Sequence, residues 1–296
     1  MSGGVGGARM ARGFAGLANV ELTVVVNVGD DADNHGLRIS PDLDTVVYTL
    51  ARIEGPHGWG RLDDTFALNE ELSRFGVDNT FQLGDRDLAL KLFRTDAMAN
   101  GSTLTQVSAV VAKSFGISAS VVPVTDDRLR TMIRVGDGWI TFQEYFVTRR
   151  FEDEVLEVRY DGAETARPAP GVLEALGVAD LVVIAPSNPP LSIWPMTTLP
   201  EIREALAVHP SVVAVSPLIG GKTVKGPADR VMASLGLPAG NAGVAEAYEG
   251  LIDRLVIDVA DSDDATSLDG IEVVTTNTLI KEPEAAARLA RELMSW

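Results

Sequence analysis

The chain contains no cysteine, and this absence narrows its chemistry at once. It excludes disulfides, a thiolate metal site and a cysteine nucleophile. Long apolar runs are missing too: the longest are the length of strands, which is too short for a transmembrane helix. No basic segment followed by an apolar one opens the chain as a signal peptide would. We therefore expect a cytoplasmic protein without a membrane partner.

Positive charge is also scarce. The 296 residues include 25 Lys and Arg against 42 Asp and Glu, which gives a net charge of −17. Nucleic acids and anionic membrane surfaces need a basic face, so we expect neither as a partner. Small anionic ligands remain compatible with this composition because they respond to local fields. The length fits one large or two modest domains with enough apolar material for a core.

Strand-like and helix-like segments alternate along most of the chain, which predicts an α/β fold with a parallel sheet. Strands are predicted at residues 22–26, 181–185, 212–215, 255–259 and 271–274. Helices are predicted at residues 42–53, 63–75, 85–95, 103–115, 201–208 and 282–296. Short strands are predicted at residues 121–124, 130–135, 139–146 and 155–160. They interrupt the alternation of strands and helices, which predicts a small insertion. The resulting prediction is a Rossmann-like core of residues 1–115 and 170–296, with helices on both faces, and an inserted α+β subdomain at 116–169.

Five aspartates follow the strand predicted at residues 22–26: Asp30, Asp31, Asp33, Asp42 and Asp44. In open α/β sheets, ligands bind at this carboxyl end of the strands. Carboxylates so close together repel one another unless a cation or a hydrogen-bond network holds them. Hard divalent cations prefer oxygen ligands, so Mg²⁺ is the first expectation. The alternative is a solvated turn in which Asp42 or Asp44 merely caps the next helix.

A glycine-rich stretch, GGVGGAR, occupies residues 3–9. Gly3, Gly4 and Gly6 would let backbone amides approach a phosphate at a helix N-terminus. The dinucleotide-binding pattern is imperfect because Arg9 stands where its third glycine belongs. We also expect no strand before this turn. A glycine-rich chain start without order is the alternative.

Two further pairs follow predicted strand ends. Ser187 and Asn188 lie between prolines, where a rigid polar turn can contact a nucleotide or serve only as a turn. Lys222 and Lys225 follow the strand at 212–215 and are candidate phosphate contacts. The GKT at residues 221–223 is not a P-loop, since Ser216 replaces the required first glycine. Two solvated surface lysines are the simpler interpretation.

Arg86 stands between Asp85 and Asp87 at a predicted helix start. The helix dipole disfavours a cation there, so a ligand or a carboxylate partner is expected. The alternative is a surface ion pair with one of the neighbouring aspartates.

Taken together, several motifs resemble those of the CofD/FbiA family of coenzyme F420 biosynthesis. They are GGVGGAR at 3–9, SPDLDT at 40–45, DDTF at 63–66, LGDRD at 83–87, PSNP at 186–189, and VSP at 215–217 continuing to GP at 226–227. The resemblance implies transfer of a phosphorylated three-carbon acid from its guanosine diphosphate ester to the deazaflavin Fo, with release of GMP. The acid would be phosphoenolpyruvate in the actinobacterial branch, which the chain resembles more, and 2-phospholactate in the archaeal branch.

The resemblance also implies roles for individual residues. Asp44 and Arg86 would contact Fo, Asp42 and Asp44 would be catalytic, and Mg²⁺ would bind to Asp31, Asp42 and Asp44. The nucleotide donor would be held by the following residues: Gly3, Gly4, Gly6, Ser187, Asn188, Lys222 and Lys225. A homodimer is expected. The alternative is a non-catalytic, nucleotide-sugar-binding regulator on a similar fold, and a nicotinamide oxidoreductase would rest only on the imperfect glycine pattern.

Overall fold

The structure, a computed structural model, describes residues 1–78, 80–268 and 270–296. The α-helices are α1 Gly4–Ala15, α2 Pro41–Leu50, α3 Ala67–Arg74, α4 Asp85–Ala99, α5 Leu104–Ser114, α6 Val172–Val178, α7 Trp194–Thr197, α8 Pro200–Val208, α9 Ala228–Ser234, α10 Asn241–Ala247 and α11 Pro283–Leu293. The strands are β1 Thr23–Val26, β2 Ala32–Asn34, β3 Leu37–Ile39, β4 Ser120–Pro123, β5 Arg130–Val135, β6 Gly138–Thr141, β7 Glu157–Asp161, β8 Val182–Ile184, β9 Val212–Val215, β10 Leu218–Ile219, β11 Lys222–Thr223, β12 Arg254–Asp258 and β13 Glu272–Thr276. Two π-helical turns, Glu144–Thr148 and Pro189–Ile193, and a 3₁₀ segment, Val259–Thr266, complete the regular structure.

The central sheet is parallel, as the alternating pattern predicts. One part runs β13-β12-β9-β8, and the other pairs β1 with β4. The first two residues lie between these parts: Ser2 bridges Val26 of β1, while the Met1 amine donates to Val183 O at 2.6 Å and Met1 O accepts from Ala185 N at 3.0 Å. As expected, no named strand precedes the glycines, but residues 1–2 extend the sheet through an isolated bridge and backbone hydrogen bonds.

The strand order places a crevice at the middle of the sheet. From one edge to the other the order is β4, β1, residues 1–2, β8, β9, β12 and β13. The connections leave residues 1–2 and β8 in opposite directions, so their carboxyl ends flank a topological switch point. The glycine turn follows residues 1–2, and Ser187 follows β8.

Both faces of the sheet are buried under helices. In β9, Val212 and Ala214 belong to one apolar cluster, while Val213 and Val215 belong to another. Side chains of α8 pack in the first cluster and those of α11 in the second. Burial on both faces explains why the strands are continuous apolar runs.

An antiparallel sheet, β6-β5-β7, forms the core of the predicted insertion. The strand predicted at residues 139–146 is wrong in its second half, where the chain ends β6 at Thr141 and enters the π-helical turn Glu144–Thr148. Aromatic residues at 142, 145 and 146 gave that segment its strand-like composition. Strand β4 also lies within the predicted insertion, yet it pairs with β1. The division into domains stays a prediction.

None of the helices in residues 1–78, 80–268 and 270–296 is both long and apolar enough to cross a membrane.

Candidate active site

The glycine turn packs closely against the segment that follows β8. Helix α1 begins at Gly4, whose φ of +65° is the left-handed conformation that favours glycine. A Cβ at Gly3 would lie 2.7 Å from Ser192 Cβ, and one at Gly6 would lie 2.2 Å from Pro186 O. The turn is thus pressed against the segment that follows β8, which is where the switch point requires it to be.

Asp42 joins the glycine turn to the acidic loop. Its Oδ1 accepts from Gly4 N at 2.6 Å, and its Oδ2 accepts from Asn27 Nδ2 at 2.9 Å. Its own amide donates to Asp30 Oδ2 at 3.1 Å. Burial raises the pKa of Asp42 to about 6, although the bonds from Asn27 and Gly4 oppose the shift. This side chain holds the start of α2 beside the end of β1.

Asp30 and Asp31 supply the unsatisfied oxygens of the site. Asp31 Oδ2 accepts from Ser40 Oγ at 3.0 Å, but the Oδ1 atoms of Asp30 and Asp31 are buried without any hydrogen-bond partner. Burial raises the pKa of Asp31 to about 7, although the charges of two arginines oppose the shift. Burial, followed by the charges of Asp42 and Asp31, raises the pKa of Asp30 well above its ordinary value. Unpaired buried carboxylates are costly, so both oxygens suit a cation.

These two oxygens are candidates for holding a hard divalent ion. Within residues 1–78, 80–268 and 270–296, no three Asp, Glu or His side chains are arranged as a ready metal cage. Mg²⁺ usually takes one or two carboxylates and completes its shell with water and substrate phosphate. Asp30 and Asp31 can provide that pair. The metal assignment to Asp31, Asp42 and Asp44 stays a prediction.

The acidic loop contains a hairpin that separates its aspartates. Strands β2 and β3 pair across a turn at His35 and Gly36, both with positive φ. Asp33 lies on this hairpin and forms an exposed ion pair with Arg38 at 3.2 Å. Asp33 therefore points away from the buried carboxylates, so the five aspartates do not form one cluster.

Asp44 faces a different set of partners. Arg94 of α4 binds both of its carboxylate oxygens, and Lys91 Nζ donates to Asp44 Oδ2 at 2.6 Å. Lys91 also pairs with Asp87, which accepts a hydrogen bond from Tyr48 OH. Burial alone would raise the pKa of Asp44, but Arg94 and Lys91 together hold it below its ordinary value. All of these side chains are buried. The catalytic, metal and Fo roles of Asp44 stay predictions, and its observed role is an ion network.

Arg86 lies at the exposed start of α4. Its guanidinium has neither an ion pair nor a hydrogen bond in the described part of the chain, so the alternative interpretation, an ion pair with Asp85 or Asp87, does not hold there. Asp85 instead caps α3 through the amides of Ala67 and Leu68 at 3.0 Å each. Asp64 reciprocally caps α4 through Arg86 N at 2.8 Å. The backbone of Arg86 is thus fixed while its charge remains free for a ligand.

Ser187 and Asn188 lie on the side of the crevice that follows β8. Ser187 Oγ donates to Gly3 O at 2.7 Å and accepts from Gly3 N at 3.4 Å. Asn188 Oδ1 caps the π-helical turn by accepting from Leu191 N at 3.2 Å. Its Nδ2 has no hydrogen-bond partner among residues 1–78, 80–268 and 270–296, which leaves a donor beside the glycine turn.

Lys222 and Lys225 occupy the loop after β9. The β10–β11 hairpin carries Lys222, which is exposed, and its turn is fixed because Asp261 accepts from the amides of Gly220 and Gly221 at 3.0 and 2.6 Å. Lys225 Nζ donates to His57 O at 2.7 Å. Both lysines lie at the carboxyl edge of the sheet, where the sequence placed them.

Comparison with known proteins identifies the family of this chain. A sequence profile described as 2-phospho-L-lactate transferase CofD matches residues 1–287. A phosphoenolpyruvate transferase of Streptomyces coelicolor is 41% identical over 306 residues, which covers 100% of this chain and 96% of that protein. The chain belongs to the CofD family. A 2-phospho-L-lactate transferase of Methanopyrus kandleri is 40% identical over 297 residues and covers 99% of this chain and 95% of its own length.

Solved structures agree on the fold of this CofD family transferase. The crystal structure of a UPF0052 family protein from Bacillus halodurans has a TM-score of 0.64 and 16% identity, covering 99% of this chain and 96% of that one. At such identity the likeness concerns fold alone. The α/β prediction and the family resemblance are both confirmed, and the regulator alternative gains no support.

Several residues of the site escaped sequence reasoning. Lys91 and Arg94 lie on the buried face of α4. Long cationic side chains are mostly exposed in proteins, so the sequence predicts that such residues of a helix face solvent. Asp30 was named among the five aspartates but was given no individual role, and Asn27, immediately after β1, was not singled out; position at a strand end was the available signal for both.

Proposed function

We propose that this CofD family member transfers a phosphorylated three-carbon acid to the deazaflavin Fo in coenzyme F420 biosynthesis. The donor would be the guanosine diphosphate ester of that acid, and GMP would leave. The names of the relatives favour phosphoenolpyruvate or 2-phospholactate as the acid. The actinobacterial motifs favour phosphoenolpyruvate, which would give dehydro-F420-0.

One observation carries the proposal. A glycine turn, a group of buried carboxylates and a polar turn after β8 meet at a single switch point of the sheet. A phosphate placed there would face helix amides on one side and the unpaired oxygens of Asp30 and Asp31 on the other. Phosphate and ionised carboxylates repel each other in that arrangement, so a divalent cation between them would favour binding.

Mg²⁺ suits that position. When bound, it would neutralise charge on the donor's diphosphate and favour departure of GMP. Asp30 and Asp31 would hold it. Asp42 would keep the glycine turn and the acidic loop in register through its bonds to Gly4 and Asn27.

The reaction needs one bond to form and one to break. The terminal ribityl oxygen of Fo would bond to the phosphorus that bears the acid, and the bond from that phosphorus to the GMP oxygen would break. The hydroxyl proton needs an acceptor, and Asp42, with its pKa raised to about 6, is suited to take it. No covalent enzyme intermediate is needed, since phosphoryl-type transfer depends mainly on positioning and charge neutralisation.

Fo would enter beside the start of α4. Arg86 would contact Fo through its exposed guanidinium, and Asp44 would contribute from the buried network that it forms with Arg94 and Lys91. Ser187 would hold the glycine turn, and Asn188 and the two lysines would contact the donor.

The test is product analysis with both donors. Purified protein is incubated with Fo, Mg²⁺ and either the phosphoenolpyruvyl or the 2-phospholactyl guanosine diphosphate ester. Chromatography and mass spectrometry should find one deazaflavin adduct for each GMP released, with the phosphoenolpyruvyl donor preferred. Release of GMP without an adduct, or no turnover with either donor, would contradict the proposal.

A further inference from the structure

The antiparallel sheet β6-β5-β7 and the turn that follows β6 hold two consecutive carbonyl groups of the acidic loop. Thr131 N, on β5, donates to Gly29 O at 2.8 Å. Gln143, two residues after the end of β6, donates from its Nε2 to Asp30 O at 2.7 Å. The main chain that carries the unpaired oxygens of Asp30 and Asp31 is thus fixed by residues outside the loop.

Gly29 shows how closely the loop lies against this sheet. A Cβ at Gly29 would lie 2.5 Å from Thr131 Oγ1 and 2.9 Å from Pro195 Cβ, so no side chain fits there. Asp31 N closes the turn by donating to Val28 O at 3.1 Å. The loop backbone therefore has one place, between β5 and the start of α7.

The turn after β6 gives Gln143 a fixed position. The flanking Phe142 and Phe146 stack with ring centroids 5.3 Å apart, and Tyr145 is buried in the apolar cluster of the sheet. Gln143 itself is only half-buried, so water could satisfy its amide. Its bond to Asp30 is therefore not explained by the need to pair a buried polar group.

Asp30 is restrained at both ends. Its Oδ2 accepts from Asp42 N at 3.1 Å and its carbonyl accepts from Gln143, while its Oδ1 is buried without a hydrogen-bond partner. An unpaired buried oxygen is costly, so an unrestrained loop would rearrange to give it a partner. The bond from Gln143 opposes that rearrangement and keeps the oxygen unpaired.

We propose that Gln143 is a positioning residue for the divalent cation, because it fixes Asp30 with one carboxylate oxygen free to bind metal. Residues that orient a metal ligand usually change metal affinity when they are replaced. The inference rests on the Mg²⁺-dependent transfer proposed above. It assigns to the antiparallel sheet, through Gln143, a part in the reaction.

Titration with Mn²⁺, with electron paramagnetic resonance to count the free ion, tests the metal affinity. Asp30→Asn should abolish the tightest binding and so identify the site. Gln143→Met keeps the length of the side chain but has no donor, and it should weaken Mn²⁺ binding by roughly 10–100-fold. Gln106→Met is the matched control, since Gln106 also bonds a backbone group, accepting from Thr103 N at 3.0 Å. It should leave the affinity unchanged.

Hydrogen exchange measures the restraint itself, without metal or substrate. The peptide that covers residues 27–34 should exchange faster in Gln143→Met than in the wild type or in Gln106→Met. Gln143→Lys keeps a donor of similar reach and should retain the protection. Gln143→Asn, whose amide is one methylene short of Asp30 O, should behave as Gln143→Met does. Loss of the native fold in both Gln143→Met and Gln143→Asn would overturn the inference, because the side chain would then be structural.

The dependence of activity on Mg²⁺ separates positioning from a general loss of structure. Gln143→Met should raise the Mg²⁺ concentration needed for half-maximal transfer and leave kcat at saturating Mg²⁺ near the wild-type value. A lower kcat with an unchanged Mg²⁺ requirement, wild-type exchange of the loop in Gln143→Met, or wild-type protein that binds no Mn²⁺ would each overturn the inference.

The inference and the proposed function fail in different ways. Weaker Mn²⁺ binding and a less protected loop in Gln143→Met, with no transfer to Fo by the wild type, would refute the proposed function and leave the role of Gln143 intact. Transfer to Fo by the wild type, with a Mn²⁺ affinity that does not depend on Gln143, would do the reverse.

Discussion

Replacing Lys91 with methionine tests the buried network around Asp44. Lys91 is 2% exposed, and its Nζ lies between Asp44 and Asp87, while Arg94 pairs with Asp44 from the other side. The network thus holds two negative and two positive charges. Lys91→Met leaves one buried negative charge uncompensated, which typically costs about 3–5 kcal/mol. That loss is a large part of the roughly 5–15 kcal/mol of an ordinary domain.

Urea unfolding provides the assay, with a second variant to isolate the charge effect. Asp87→Asn combined with Lys91→Met restores neutrality, so the double variant should be about 1–3 kcal/mol more stable than the sum of the single losses predicts. Lys113→Met is the matched control, and it should change stability by less than about 0.5 kcal/mol. Additive losses, or a Lys91→Met cost below about 1 kcal/mol, would refute the account of this network.

The network should also respond to acid in a defined direction. The pKa of Asp44 in the folded protein lies below its ordinary value of 3.8. Its stabilising contribution is therefore complete above 3.8 and is lost as the pH falls through the lowered folded value. The deficit of Lys91→Met, measured by urea unfolding, should shrink at low pH because protonation neutralises the unpaired carboxylate.

Three further changes probe the crevice. Arg86→Ala should weaken Fo binding by roughly 1–3 kcal/mol in calorimetry, and an unchanged affinity would mean that this exposed cation does not contact the acceptor. Gly6→Ala places a Cβ 2.2 Å from Pro186 O. It should cost about 1–3 kcal/mol in urea unfolding and weaken GDP binding, whereas wild-type behaviour would show that the turn can move aside. Asp30→Asn should raise the Mg²⁺ concentration needed for half-maximal activity, while the matched Asp33→Asn on the exposed hairpin should not. An equal effect of the two would refute the placement of the metal.

Much of the fold follows from local patterns. The apolar runs at β8, β9 and β12 are buried on both faces, so their strand character and their parallel pairing both appear in the sequence. Helices α4, α5 and α11 also lie close to their predicted positions, because helical spacing of apolar residues is a local pattern as well. Features that depend on only a few residues did not appear: the bridge that Ser2 forms at the start and the π-helical turn Glu144–Thr148.

The site was harder to predict than the fold because its geometry depends on distant partners. The sequence places five aspartates near one strand end but cannot say which of them point inward. The hairpin of β2 and β3 places Asp33 on the surface, and two cations of α4, Lys91 and Arg94, pair with Asp44. These cations are 47 and 50 residues from Asp44, a separation at which no local pattern operates. Residues at strand ends, such as Ser187, were found because sheet topology alone brings them together.

The chemical claim reduces to one bond, formed between the terminal ribityl oxygen of Fo and the phosphorus of the donor. Fo carrying ¹⁸O in that hydroxyl is incubated with the protein, Mg²⁺ and the phosphoenolpyruvyl guanosine diphosphate ester, and both products are analysed by mass spectrometry. Direct attack predicts that the deazaflavin product retains the label at its new phosphate ester and that GMP carries none. Label in GMP, or a deazaflavin phosphate ester that has lost its ¹⁸O, would contradict the account.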